Sequence, residues 1–224
     1  MLEINKHVIP SGEQWDIIIE GMRNPKNSWN KSDSGWDDDS HYTIGDADLS
    51  LMRNLAHAGS DHRKFMRMIP VFLTITAPLY WWKEFDTYKV GTVANSCSTM
   101  HKLVAREFTL DDFSHEHLTL YDPDGEICRD WLGDLEDLID DMNLARKLFL
   151  ETNDKTYWWQ IIQLLPSSYN QRRTVFLSYE NLHNIYHARR NHKLTEWHTL
   201  CNFILTLPHS ELITGEATSN PCTT

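Results

Sequence analysis

The sequence predicts an α/β (α+β) domain on three observations. Val71 to Thr76 alternates Val, Leu and Ile with Phe, Thr and Thr, the period of a strand. Asp134 to Leu150 gathers Leu135, Leu138, Ile139, Met142, Leu148 and Phe149 on one side of a helix, and its acidic first half and Arg146-Lys147 near its end suit the helix dipole. Tyr179 to Leu207 carries a third signal, a helical pattern through Leu182, Ile185, Tyr186, Leu194, Trp197, Leu200 and Ile204. The chain has 224 residues, enough for one large domain and short for two. One domain over residues 1–214 is expected, with 215–224 a small, polar, flexible tail.

The remaining elements follow in chain order. Trp15 to Met22 holds the run Ile17-Ile18-Ile19 and reads as a strand or a short helix. Arg23 to Asp46 is rich in Asn, Ser, Asp, Gly and Pro, which makes it a long loop. Trp29 and Trp36 are expected to tack that loop to the body or to a partner. Asp46 can cap a helix through Ala58, with Leu49, Met52, Leu55 and Ala56 inward and Gly59 at its end. Pro78 closes the Val71–Thr76 strand. Asp122-Pro123-Asp124-Gly125 is a turn by composition. A further helix runs from about Lys155 to Leu165 and stops at Pro166, and the Tyr179–Leu207 helix has an irregularity near Arg190-Asn191.

Charge narrows the function. A formal net charge of -11 argues against duplex nucleic acid and against an anionic membrane surface, both of which need basic patches. A small phosphorylated ligand needs only a few local cations and stays compatible. No run of about 18 apolar residues predicts a membrane span, and Met1 to Lys6 lacks a hydrophobic signal core. Cys97, Cys128, Cys201 and Cys222 show no paired spacing and read as free thiols of a reducing cytoplasm. Nine tryptophans imply broad apolar surfaces, in the core or between subunits.

The chemistry-bearing stretch is His62 to Leu103. Ala77-Pro78-Leu79-Tyr80-Trp81-Trp82-Lys83-Glu84 is followed by Phe85-Asp86-Thr87-Tyr88-Lys89. After Val90 to Ala94 comes a run of small polar residues, Asn95-Ser96-Cys97-Ser98-Thr99. Such residues let backbone and hydroxyl donors approach an anion or a heterocycle. A helix with an aromatic face leading into a capped loop explains the same composition. Cys97 reads either as a nucleophile, if a cation such as Lys89 lowers its pKa, or as a small buried thiol. His115-Glu116-His117 puts two imidazoles on one strand face but has no third ligand, and Asp122 to Glu126 has an incomplete calcium series, so no metal is expected. The Trp81-Trp82 and Trp158-Trp159 pairs read as core or interface.

This stretch resembles the flavin-dependent thymidylate synthases. His62 falls on the family histidine, Ala77-Pro78 on its Ala-Pro, Lys83 on an arginine and Lys102-Leu103 on its Lys-Leu. Downstream, Leu165-Pro166, Asn184, Arg189 and Glu196-Trp197 resemble the family's C-terminal segment. The departures lie at Glu84, where the family has Gln, at Thr87-Tyr88-Lys89, where it has Arg-His-Arg, at Cys97-Ser98-Thr99, where it has Ser-Gly-Arg, and at Ile162, where it has Arg. The resemblance implies a mixed sheet flanked by helices, one of them long, and a homotetramer with sites between subunits. It implies a pyrimidine nucleotide held by Lys83, Asn95, Ser96, Ser98 and Arg189. Glu84, Tyr88 and Cys97 are then the catalytic candidates. His62, Lys89 and Asn184 are the residues for FAD. Lys cannot reproduce a bidentate Arg fork, so the altered triplet weighs against FAD held in the family's way. Two readings follow: an enzyme of nucleotide metabolism that modifies a pyrimidine nucleotide with a flavin or a one-carbon donor, or a non-catalytic module for a nucleotide or a protein partner. Outside the resemblance, His62 is equally a loop histidine, Asn184 a packing residue, and Arg189-Arg190 a helix end.

Overall fold

The structure, a computed structural model, describes residues 1–100 and 102–215. The expected tail lies, from residue 216 on, outside the described residues, as does Cys222. The fold is α/β, a sheet flanked by helices. Strands β1 (Glu3–Val8), β4 (Pro70–Pro78), β5 (Val93–Ser96) and β8 (Asn170–Ser178) form a four-stranded sheet in the order β1-β4-β8-β5. No two neighbours in that order are consecutive in the chain, so every connection crosses over. Two hairpins, β2 (Gly35–Trp36) with β3 (Tyr42–Thr43) and β6 (Thr119–Tyr121) with β7 (Ile127–Asp130), are antiparallel. Among the described residues no helix is long and apolar enough to cross a membrane.

The chain divides into two compact units. The first comprises Met1–Glu3, Ile75–Thr87 and Asn95–Arg173. It contains α3 (Leu79–Phe85), α4 (Leu132–Thr152) and α5 (Lys155–Leu164). Its core cluster is Leu103, Phe108, Phe113, Leu135, Ile139, Met142, Ala145 and Ile161. Leu135, Ile139 and Met142 are the inward stripe expected of α4, and that helix packs along α5. In α3, Trp81, Trp82 and Phe85 are buried and stack edge-on or tilted with centroids 4.8–5.2 Å apart, so the first tryptophan pair is core. The β6–β7 turn is held by Asp122, whose carboxylate accepts from the N–H groups of Asp124 (3.0 Å) and Glu126 (2.8 Å). His115 to His117 lies outside the strands, which corrects the expected strand face.

The second unit comprises Ile4–Thr74, Tyr88–Ala94 and the chain from Thr174 onward. It contains α1 (Gly12–Arg23), α2 (Asp46–His57), α6 (Tyr179–Arg189), α7 (Thr195–Leu205) and α8 (Glu211–Thr214). The Trp15–Met22 segment is a helix. Trp15, Ile18, Ile19 and Met22 are buried at helical spacing, while Ile17, the first of the isoleucine run, is 56% exposed. Ser11 starts α1 with a capping box: its hydroxyl accepts from the Gln14 N–H, and the Gln14 side chain accepts from the Ser11 N–H. The single helix expected over Tyr179–Leu207 is two, α6 and α7. Their separation at Arg190–Leu194 is a full break rather than an irregularity.

The long loop after α1 is pinned by one carboxylate. Asp48, fully buried, accepts from Arg23 Nε (2.5 Å), from the Ser32 and Ser34 hydroxyls (both 2.7 Å) and from the Asp33 and Ser34 N–H groups (both 3.1 Å). Trp36 meets Tyr42 edge-on at 5.2 Å and lies so close over Gly12 that a Cβ there would stand 2.5 Å from its ring. Glycine at position 12 therefore makes the seat on which the loop tryptophan rests. Trp29 donates from Nε1 to Asn24 Oδ1 at 2.8 Å and stays half exposed.

Candidate functional site

In the first unit, the run after β5 meets the beginning of β8. The Cys97 N–H donates to the Arg172 carbonyl (2.9 Å), and Gln171 Nε2 donates to the Cys97 carbonyl (2.7 Å). Gln171, a buried amide, is oriented in turn, since its Oε1 accepts from Arg173 Nε at 2.9 Å. Arg173 donates from Nη1 to Asp86 Oδ1 (2.8 Å) and lies 4.4 Å over the Trp82 ring. Trp82 donates from Nε1 to the Gln171 carbonyl (2.9 Å). The backbone at Cys97 is thereby fixed from both sides by the strand and its amide.

This arrangement borders a cavity of about 260 Å³. Cys97, Ser98 and Thr99 line one part of it, and Tyr169, Asn170 and Arg172 another. Arg172 is exposed and has no ion-pair partner among the described residues. Asn170 Oδ1 accepts from the Ser114 hydroxyl (2.8 Å), which leaves the amide N–H₂ as its free donor. Arg106, also on the lining, is committed to both oxygens of Asp112, one of them at 2.8 Å. Burial pushes the Asp112 carboxyl up, but the bonds from Arg106 and Thr109 outweigh it and hold the group below the usual carboxylate range. The Cys97 thiol is exposed rather than buried. An exposed cation, hydroxyls, an amide donor and an accessible thiol together suit an anionic ligand with a polar ring.

Of the other first-unit candidates, Lys83 and Glu84 stand on α3 and Asn95 and Ser96 on β5; none of the four is on the cavity lining. Sequence reading missed Arg172, Gln171, Asn170, Arg106 and Tyr169. The signal was the basic pair Arg172-Arg173 inside an alternating strand, which interrupts the apolar pattern of β8.

In the second unit the candidates separate. Tyr88 and Arg189 meet: Arg189 Nε donates to the Tyr88 hydroxyl at 2.9 Å, and its guanidinium lies 5.7 Å from the Tyr88 ring and 4.9 Å from that of buried Trp197. The turn carrying Tyr88 is closed locally. Thr92 donates from Oγ1 to the Tyr88 carbonyl (2.6 Å), and Asn181 Nδ2 donates to the Val90 carbonyl (2.7 Å). Gly91 has φ 74°, a left-handed conformation that suits glycine. Lys89 and Asn184 are exposed. His62 is exposed on the lining of a different cavity. Among the described residues no three His, Cys, Asp or Glu side chains gather as a metal site.

No protein-family profile matches the sequence, and no curated protein matches it. Solved structures do: the fold is similar to that of thymidylate synthase X. The individual structures are two of the Helicobacter pylori enzyme, each described with FAD and dUMP. One has a TM-score of 0.63 over 96% of this chain and 97% of its own. The other has 0.61 over 96% and 98%, both at 14% identity. At that identity the likeness is one of fold.

Proposed function

We propose that this chain binds a phosphorylated pyrimidine nucleoside in the first unit's cavity. The observation that carries the reading is the meeting of Arg172, without an acidic partner among the described residues, with the Cys97–Thr99 run around about 260 Å³ of space. A guanidinium fork suits a phosphate. The Asn170 N–H₂ and the hydroxyls of Ser98 and Thr99 suit the carbonyl edge of a pyrimidine. The ligand dUMP described with the Helicobacter pylori structures has this chemistry, on a similar frame. Cys97 is the candidate group for covalent addition to the ring, and Tyr88 holds Arg189 in place.

Flavin fits less well. At the positions that the resemblance gives to FAD, the Thr87 hydroxyl is committed to the Glu84 carbonyl (2.7 Å) and Tyr88 to Arg189. Lys89 is left as one exposed ammonium. A single point charge is a poor donor set for a diphosphate that an arginine fork would grip. We therefore favour nucleotide binding over flavin-dependent one-carbon transfer.

Titration calorimetry with dUMP, UMP and deoxyuridine tests the reading. The nucleotides are expected to bind, deoxyuridine far more weakly, and Arg172→Ala is expected to weaken dUMP by roughly tenfold or more, the worth of a charge-assisted bond. Absence of binding to any of the three would leave the protein-partner module as the surviving reading. A purified protein with a visible flavin band would restore the flavin-dependent enzyme.

A further inference from the structure

The loop between α1 and α2 carries the β2–β3 hairpin, in which Trp36 pairs with Tyr42. Two aspartates fix that loop. Asp48 holds Arg23, Ser32, Asp33 and Ser34 in the buried bonds described above. Asp33 in turn accepts from the N–H groups of Ala47 (2.8 Å) and Asp48 (3.0 Å), and so caps α2 from the loop. Gly45 makes room for it, since a Cβ there would overlap the Asp33 carboxylate.

What this ordered loop presents is open to solvent. Trp36 rests on Gly12 and meets Tyr42 edge-on, yet it is 45% exposed. Asp37, Asp38 and Asp39 follow it directly and are exposed. Asp37 shapes the turn: its Oδ1 accepts from the N–H groups of Asp39 (3.0 Å) and His41 (2.8 Å), and His41 Nδ1 lies 3.7 Å from the same oxygen. Asp38 and Asp39 have no ion-pair partner among the described residues, whatever the charge on His41. On α1, Glu13 adjoins Gly12, and Asp16 accepts from the Tyr42 hydroxyl. Lys26 and Lys31 are the lysines of the loop, and both precede the hairpin.

We infer that this hairpin is a docking surface for an arginine-bearing basic segment of a protein partner. An aromatic side chain already held in place loses little freedom on binding, and tryptophan concentrates at the energetic centres of interfaces. An indole face attracts a guanidinium laid over it, and a carboxylate beside the ring accepts the N–H fork. Lysine supplies charge without the planar stack. One aromatic and three acidic residues in succession offer more than a single cation can occupy, so a segment with repeated arginines is the occupant. The same carboxylates repel phosphate backbones and anionic membranes, and a net charge of -11 disfavours a second copy of this chain. No residue of the hairpin lines the nucleotide cavity, so the inference does not rest on that reading.

The test uses the whole chain with a short fluorescein-labelled oligoarginine and the matching oligolysine. Binding is followed by anisotropy at physiological ionic strength, where diffuse attraction is screened. Oligoarginine is expected to bind at least about fivefold more tightly than oligolysine, the worth of a cation–π stack. Trp36→Ala is expected to erase that preference. Asp38→Asn/Asp39→Asn, which removes two exposed charges, is expected to weaken both peptides by roughly tenfold or more. Asp140→Asn/Asp141→Asn, the same loss of charge at exposed positions of α4, is expected to leave binding within about twofold. Circular dichroism of each variant shows whether the fold is retained. Equal binding of the two peptides, a preference that survives Trp36→Ala, equal weakening by the two asparagine pairs, or no binding at all would overturn the inference. So would self-association in sedimentation that Trp36→Ala abolishes, since the surface would then belong to a second copy.

Discussion

Asp48 shows at the scale of one residue how a charge survives full burial. Burial raises its pKa, but the Ser32 and Ser34 hydroxyls, Arg23 and the Asp33 N–H outweigh that and pull it down to about 2. Asp48→Ala would strand Arg23, itself only 4% exposed, with no counter-charge at Nε. The expected loss is roughly 3–5 kcal/mol, read from the denaturant midpoint at unchanged slope. Cysteine environments differ as sharply. Cys97 and Cys128 are exposed, whereas burial pushes the Cys201 thiol up to about 11. Thiol labelling of the native chain near neutral pH should mark Cys97 and Cys128 well before Cys201, as peptide mapping would reveal. Comparable labelling of all three would contradict the placement of Cys201. The identity of Cys97 was legible in the sequence. Its partner was not, because Gln171 and Arg172 lie more than seventy positions away and only strand placement brings them together.

At the scale of elements, local chemistry marks the starts of helices. Ser178 and Asn181 form a capping box on α6: the Asn181 N–H donates to the Ser178 hydroxyl (3.3 Å), and Asn181 Oδ1 accepts from the Ser178 N–H (2.9 Å) and hydroxyl (2.8 Å). Ser178→Ala should cost about 1 kcal/mol in equilibrium unfolding. Asn181→Ala should cost more, because its Nδ2 also holds the Val90 carbonyl, and an equal cost would argue against that second role. Strong helical periods, as in α2, α4 and α5, read correctly from sequence to within a few residues. The α1 segment reads as either strand or short helix because three consecutive isoleucines imitate a buried strand, although only two of them face inward. β8 escaped notice because Arg172 and Arg173 interrupt its apolar alternation, and the split of α6 from α7 carried no proline or glycine to announce it.

For the whole molecule, the buried ionisable groups predict one direction of pH dependence. His183 donates from Nδ1 to the Ile213 carbonyl (2.8 Å), which leaves Nε2 to accept from Arg63 Nη1 (2.8 Å), so the folded state holds it neutral. Burial first, then Arg63 and His187, lower its pKa, and burial lowers that of His209. Histidines with a folded-state pKa below the ordinary 6.5 stabilise above that value, and the contribution fades as pH falls, because the unfolded chain binds more protons. Asp48 and Asp112 act in the same sense lower down. Their contribution is complete above the ordinary 3.8 and disappears as pH drops through the depressed values, about 2 for Asp48. Melting temperature should therefore decline in two stages, beginning near 6.5 and steepening below about 4. A melting temperature flat from pH 7 to 3 would mean that these groups are not held as described.

The class of fold, the α2, α4 and α5 helices, the β4 strand and the polar run at Asn95–Thr99 were legible in the chain, because periodicity, caps and composition are local properties. Its resemblance to the flavin-dependent thymidylate synthases pointed to the frame that the Helicobacter pylori structures share. Which candidates meet is a property of the folded chain. The fold sets Cys97, Ser98 and Thr99 against Arg172 and Asn170, turns Tyr88 onto Arg189, and places His62 on the lining of a different cavity. Those pairings depend on crossover connections between strands distant in the chain, and no local pattern encodes the register in which distant strands meet.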